Sequence, residues 1–180
     1  DKLNSYNTAG ISLDIFFSED DKQNPKKILN EFNLDIEDVV DSDQLLLESI
    51  KSSNVVLSVL GDVSQYKKDN QSKPKTNVIS RGSDASNFTY FFKNKITSLE
   101  KFNDVAKGIG TISYLDSQDG VLRSIPMFLK IDNDLWPALS LESLRVFHNH
   151  KNILINADET GINEIKTRKY QIKTDPNTLV

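Results

Sequence analysis

The chain has 180 residues and a mass of 20.4 kDa, which suits one domain over 1–180 with a real core and is too short for two full-sized domains. Apolar residues make up 37% and charged residues 27%, with 9 Phe, 5 Tyr, a net charge of -4 and a pI near 5.2. These values exclude outright disorder and argue against a general nucleic-acid surface built on phosphate neutralisation. The absence of cysteine removes disulfides, thiolate metal sites and cysteine nucleophiles, and 2 histidines, His148 and His150, leave little for imidazole catalysis.

No run of about 18 or more apolar residues occurs, and the N-terminus has no basic-then-apolar signal pattern. The chain begins at Asp1 and ends at Val180 within an extended stretch, so it is expected to be a segment of a longer polypeptide.

In chain order, Gly10-Ile11-Ser12-Leu13-Asp14-Ile15-Phe16-Phe17-Ser18 reads as a strand buried on both faces and interrupted by one acid. Asn24-Pro25 supplies a cap and an N1 proline for a helix over about 25–33, with Ile28, Leu29 and Phe32 on one stripe. Asp41 or Ser42 caps a second helix that buries Leu46, Leu47 and Ile50, and Asn54-Val55-Val56-Leu57-Ser58-Val59-Leu60-Gly61 is a β-branched strand. Strand, helical segment and strand together predict a parallel crossover. Residues 62–77, rich in Lys and Asn and poor in apolar anchors, read as an exposed insertion.

Phe88 to Phe92 is an aromatic cluster, and Ser98 is placed to cap a helix carrying Leu99, Phe102 and Val105-Ala106. Residues 108–115 and 121–131 read as an antiparallel hairpin turned at Asp119-Gly120, with Pro126 forcing a bulge or an edge. Trp136-Pro137 opens a helix that ends near Asn149, and 153–155 and 164–173 are further strands, the last an edge. The fold class predicted is α/β: a mixed sheet, mostly parallel and then antiparallel, with helices packed on its faces.

Few side chains suggest chemistry. Asp14 stands within an apolar strand and must either cap a neighbouring segment or face a polar cleft. Asp116, Asp119, Asp132 and Asp134 invite a hard cation, but their spacing departs from the EF-hand loop and turn chemistry explains them. Ser113, Ser124 and Ser140 lack the surroundings of a nucleophile elbow, while His148 and His150 suit the C-terminal turn of a helix. Gly108-Ile109-Gly110 follows a helix and enters a strand, the reverse of a dinucleotide fingerprint. Arg123 either pairs with an acid or presents its guanidinium to an anionic ligand. No catalytic residue, metal site or cofactor is assigned.

Three groups of residues, in order, resemble the type-2 CHASE domain, a sensory module of bacterial cyclases and histidine kinases. They are Ile11-Ser12-Leu13-Asp14-Ile15-Phe16-Phe17-Ser18-Glu19; Gly110-Thr111-Ile112-Ser113 with Asp116 and Asp119-Gly120-Val121-Leu122-Arg123-Ser124-Ile125-Pro126; and Pro137-Ala138-Leu139-Ser140-Leu141-Glu142-Ser143-Leu144-Arg145. The resemblance covers residues 9–180. It implies a bacterial extracytoplasmic domain, periplasmic or at the cell surface, that is itself no enzyme. Transmembrane helices outside this chain would anchor it, and it would regulate a cytoplasmic adenylate or guanylate cyclase or a histidine kinase.

Its signal would be a small molecule or a protein. The expected ligand site lies at the C-terminal end of the first strand, with Asp14, Ser18 and Glu19 met by Asp116 and Arg123 from the hairpin. A homodimer is compatible with this role. Two other readings stay open: a free-standing hydrolase using paired carboxylates, and a structural dimerisation domain.

Overall fold

The computed structural model describes residues 2–34, 38–63, 71–114 and 119–180. Its first half contains α1 (Lys2–Ser5), β1 (Ile11–Leu13), α2 (Pro25–Glu31), α3 (Ser42–Lys51), β2 (Val55–Asp62), β3 (Asn77–Gly82), a 3-10 turn (Ala85–Phe88), β4 (Tyr90–Phe92) and β5 (Asn94–Thr97). Then follow α4 (Glu100–Val105), β6 (Gly108–Thr111), β7 (Phe128–Ile131), β8 (Asp134–Pro137), α5 (Leu139–Phe147), β9 (Asn152–Asp158), β10 (Gly161–Thr167) and β11 (Tyr170–Lys173).

The α/β class is as expected, with parallel and antiparallel pairs in one molecule. The β-branched run of β2 is the spine of the first sheet. It pairs in parallel with β1 and β6, and antiparallel with β5, and Val55, Val56, Leu57 and Val59 are buried. Its two faces are covered by different helices. Ile11, Leu13, Val55 and Leu57 pack with Ile50 of α3 and Phe102 of α4. On the other face Ser12 meets Ser143 of α5 at 2.5 Å, and α5 lies so close to β6 that a Cβ added at Gly110 would stand 2.5 Å from the Leu139 Cα. Glycine at 108 and 110 therefore serves helix-to-sheet packing.

The strands divide among three sheets where the sequence reading expected one. The second runs β11-β10-β9-β3 and the third β4-β7-β8, joined to the first by a parallel bridge between Thr111 and Ala138. Between them lie two further cores. One gathers Phe128, Leu141, Ile153, Ile155 and Ile165, and the other Val59, Ile109, Leu129, Ile131 and fully buried Trp136.

Several boundaries differ from expectation for physical reasons. The 108–115/121–131 hairpin does not form: β6 runs beside β2, β7 sits between β4 and β8, and 121–125 carry no strand. All of β6 is buried, so it takes an interior position, while Ile125 exchanges hydrogen bonds with Val180 at 3.0 and 3.1 Å. Pro126 precedes β7 and bridges to Leu179, where its missing N–H costs the ladder nothing.

Trp136 and Pro137 end a strand and the helix begins at Leu139, because filling the Trp136 core outweighs the N1-proline signal. Residues 164–173 belong to two strands, β10 and β11, turned at Arg168 with φ 51, and β11 forms the edge. The first strand ends at Leu13 and is only half-buried, since it pairs with β2 alone among the described strands. Part of the expected insertion at 62–77 lies outside the described residues. Within the rest, Asp62 closes β2, Ser72 and Thr76 are buried, and Lys73 pairs with Asp134 at 2.7 Å.

Candidate functional site

Beyond β1 the chain turns across the ends of the first sheet and is pinned there. The Ser58 hydroxyl donates to the Ile15 carbonyl at 2.9 Å, the Phe17 N–H donates to Ser98 Oγ at 3.1 Å, and the Leu99 N–H donates to the Phe17 carbonyl at 2.8 Å. Ser98 is thus committed to the loop and does not cap α4, which starts at Glu100 without a side-chain cap bond. These anchors set the Phe17 ring 5.6 Å from Phe102, centroid to centroid, at 59°.

Helices α2 and α3 are fixed by their caps. Asn24, fully buried, accepts the Lys26 N–H at 3.1 Å and donates to Asp41 Oδ1 at 2.8 Å, and Asp41 accepts the Gln44 N–H at 3.1 Å. The Asn24 amide holds the Asp41 carboxyl below its usual range, aided by the Gln44 N–H.

Two residues beyond that cap, Asp43 is buried and lies at the centre of a charged cluster. Its Oδ1 accepts the Asp21 N–H at 3.1 Å, and its Oδ2 meets Lys27 Nζ at 2.7 Å and Lys101 Nζ at 3.4 Å. Burial pushes its carboxyl up, but the Lys27 hydrogen bond, the Asp21 N–H and the Lys101 charge outweigh burial and bring it down to about 2. Asp20 completes the cluster, 2.5 Å from Lys101 and 3.1 Å from Lys27, and these two ammonium groups, Lys101 first, lower its carboxyl as well.

Above Asp43 opens a cleft of about 280 Å³ lined by Phe17, Glu19, Asp21, Ser42, Asp43, Leu46 and Phe102. Its walls come from the loop after β1, from α3 and from α4. It is apolar on Phe17, Leu46 and Phe102 and carries carboxylates at its floor and mouth. Apolar walls with a few polar groups, in a cleft open on one side, suit binding of a small organic molecule.

The expected site residues have different fates. Glu19 lines the cleft, and Ser18 is half-buried beside Phe17. Asp14 lies at the exit of β1 and is exposed, so the burial cost that singled it out is not incurred. Arg123 pairs with Asp119 at 2.7 Å, with both side chains exposed, and the hairpin that was to deliver it is not formed. Asp116 lies outside the described residues.

Sequence reasoning missed Asp21, Asp43, Leu46 and the Phe17–Phe102 pair as a site. The one local signal was an acid in the first turn of a capped helix; the lysines that partner it are remote in sequence. Among the described residues no group of three or more His, Asp or Glu is arranged to hold a metal ion. His148 caps the C-terminus of α5 and bonds Tyr170 Oη at 2.9 Å.

A second cluster is structural. Glu142, fully buried in α5, takes Arg145 Nε at 2.8 Å and Nη2 at 2.6 Å, and Thr76 Oγ1 donates to it. Arg145 also donates to the carbonyls of His150 at 2.7 Å and Lys107 at 3.2 Å. The starts of β3, β6 and β9 are thereby tied to one helix.

Helices on both faces of a sheet, with a small cleft at a strand end, define an α/β module of the kind expected from the sequence. Residues 1–179 match the family model of the CHASE2 domain, and the chain belongs to that family. It is therefore an extracytoplasmic sensory domain and is not itself catalytic. The match begins at residue 1, ahead of the motifs that start near residue 9. No curated protein and no solved structure matches the chain. Among the described residues no helix is long and apolar enough to cross a membrane.

Proposed function

We propose that this domain is the signal-receiving portion of a bacterial transmembrane receptor, that its signal is a small molecule, and that the molecule binds in the cleft bounded by Phe17, Glu19, Asp21, Asp43, Leu46 and Phe102. The output is a cytoplasmic adenylate or guanylate cyclase or a histidine kinase. The supporting observation is the position of Asp43: one buried carboxylate joins the loop at Asp21, Lys27 of α2 and Lys101 of α4 beneath the cleft. A molecule seated above it touches elements from separate parts of the chain. If it fits one relative placement of those elements better than another, it shifts their equilibrium by that difference in affinity. Of the residues first expected at the site, Glu19 lines the cleft.

Two measurements test the reading. An antibody to this domain, used on fractionated cells, should detect a product far larger than 20.4 kDa that stays with membranes after alkaline washing. A soluble product of about this size would remove the receptor reading. In the native polypeptide, Leu46→Trp fills the cleft and should abolish the change in cyclase or kinase output that the signal causes; an unchanged response would place the binding site elsewhere.

A further inference from the structure

The charge pattern of the cleft narrows what it holds, and this inference rests on the cleft being the sensory site. Among the described residues, every charged side chain lining it is a carboxylate, Glu19, Asp21 or Asp43, and the remaining walls are apolar apart from Ser42. Asp43 at the floor is already matched by Lys27 and Lys101, which approach from outside the lining. The carboxylates at the mouth are not matched in this way. Asp21 accepts the Gln23 N–H at 2.9 Å, and Glu19 pairs with Lys22 at 2.9 Å with side chains 68% and 77% exposed. An exposed pair of that kind is weak and yields readily to a competing cation.

The protein's own Lys101 displays the chemistry the site favours. Its ammonium lies 4.9 Å from the centroid of the Phe102 ring while bonded to Asp20 at 2.5 Å, so carboxylate and aromatic face together hold a primary ammonium beside the cleft. An anion would meet the Glu19 and Asp21 carboxylates at the mouth, and the cations nearby, Lys22, Lys27 and Lys101, are already engaged by Glu19, Asp20 and Asp43 rather than lining the cleft. We propose that the cleft binds a small organic monocation: a primary ammonium held between Glu19 and Asp21, on an aromatic or branched aliphatic body packed against Phe17, Leu46 and Phe102. The volume of about 280 Å³ suits a body of one ring.

The test titrates this chain with 2-phenylethylammonium, and separately with 2-phenylethanol and 3-phenylpropionate as neutral and anionic counterparts. Side-chain NMR signals of Phe17, Leu46 and Phe102 report occupancy. The expected result is saturable shifts with the ammonium, binding weaker by about tenfold with the alcohol, and none with the carboxylate. Glu19→Gln combined with Asp21→Asn should weaken ammonium binding by about tenfold while leaving the circular dichroism spectrum unchanged. If the alcohol or the carboxylate shifts the same signals as tightly as the ammonium does, the cation class is overturned and the cleft stands as the site. If none of the three probes moves Phe17, Leu46 or Phe102, both the cation class and the cleft reading are overturned.

Discussion

Asn24 donates its side-chain amide to Asp41 at 2.8 Å, so the N-cap of α2 is hydrogen-bonded to the N-cap of α3. Two local capping signals become one tertiary contact that sets the spacing of the helices and with it the position of Asp43. Asn24→Ala removes a cap acceptor and leaves Asp41 without its amide partner. Its expected cost in urea unfolding is about 1–3 kcal/mol. Asn24→Asp keeps the cap acceptor but sets carboxylate against carboxylate, so it should be less stable than the native chain at neutral pH and recover part of the loss in mild acid. Equal stability of Asn24→Asp and the native chain at neutral pH would show that the bond between the caps contributes nothing.

Acid should unfold the domain partly through Asp43. A carboxyl held lower in the folded chain than in the unfolded one favours folding above its ordinary value of 3.8, and that contribution is lost as the pH falls from there through about 2. It is on the order of 2 kcal/mol. Other lowered carboxyls, Asp20, Asp41, Asp158 and Glu164, act on the same limb. The difference between the native chain and Asp43→Asn isolates one group. The variant should be less stable at pH 7 and lose less stability between pH 4 and pH 2; parallel curves would contradict the depressed value.

The Glu142–Arg145 pair should behave as a buried ion pair whose members depend on one another. Arg145→Met leaves the Glu142 carboxylate buried with Thr76 as its remaining hydrogen-bond donor among the described residues and should cost about 3–5 kcal/mol. Adding Glu142→Leu removes the orphaned charge and should restore a substantial part of that loss. A double variant as unstable as the sum of the singles would show that the two side chains act independently.

Gly110→Ala tests the approach of α5 to β6. The new methyl would stand 2.5 Å from the Leu139 Cα and 2.8 Å from its nitrogen, backbone atoms that cannot swing aside. The expected loss is about 1–3 kcal/mol in thermal or urea unfolding. Gly120, at φ 71, provides the contrast: among the described residues Gly120→Ala meets no atom within 4 Å, so the expected cost is that of its backbone conformation alone.

Much of the fold was legible because the signals are local. Asn24-Pro25 starts α2 where a buried cap and an N1 proline require it, Asp41 caps α3, and the run at 55–59 is the central strand. The family motifs also identified the class of domain, since order and spacing along a chain are properties of the sequence. Local signals misled where packing competed with them. The Asp-Gly turn signal did not join β6 to β7, and Trp136-Pro137 ended a strand because the indole fills a core.

The candidate site was the least legible part. Glu19 could be named from its place after a strand, but nothing near Asp43 announces that Lys27 and Lys101 converge on it, or that Phe17 and Phe102 form one wall. By itself the sequence determined the starts of α2 and α3, the central strand, the α/β class and the family, because capping, β-branched runs and motif spacing act over a few residues or along the chain. Only the tertiary structure decided that the strands divide into three sheets and that the cleft forms over Asp43. Both depend on which apolar faces and charges from distant segments satisfy one another, and that pairing is settled by packing in space.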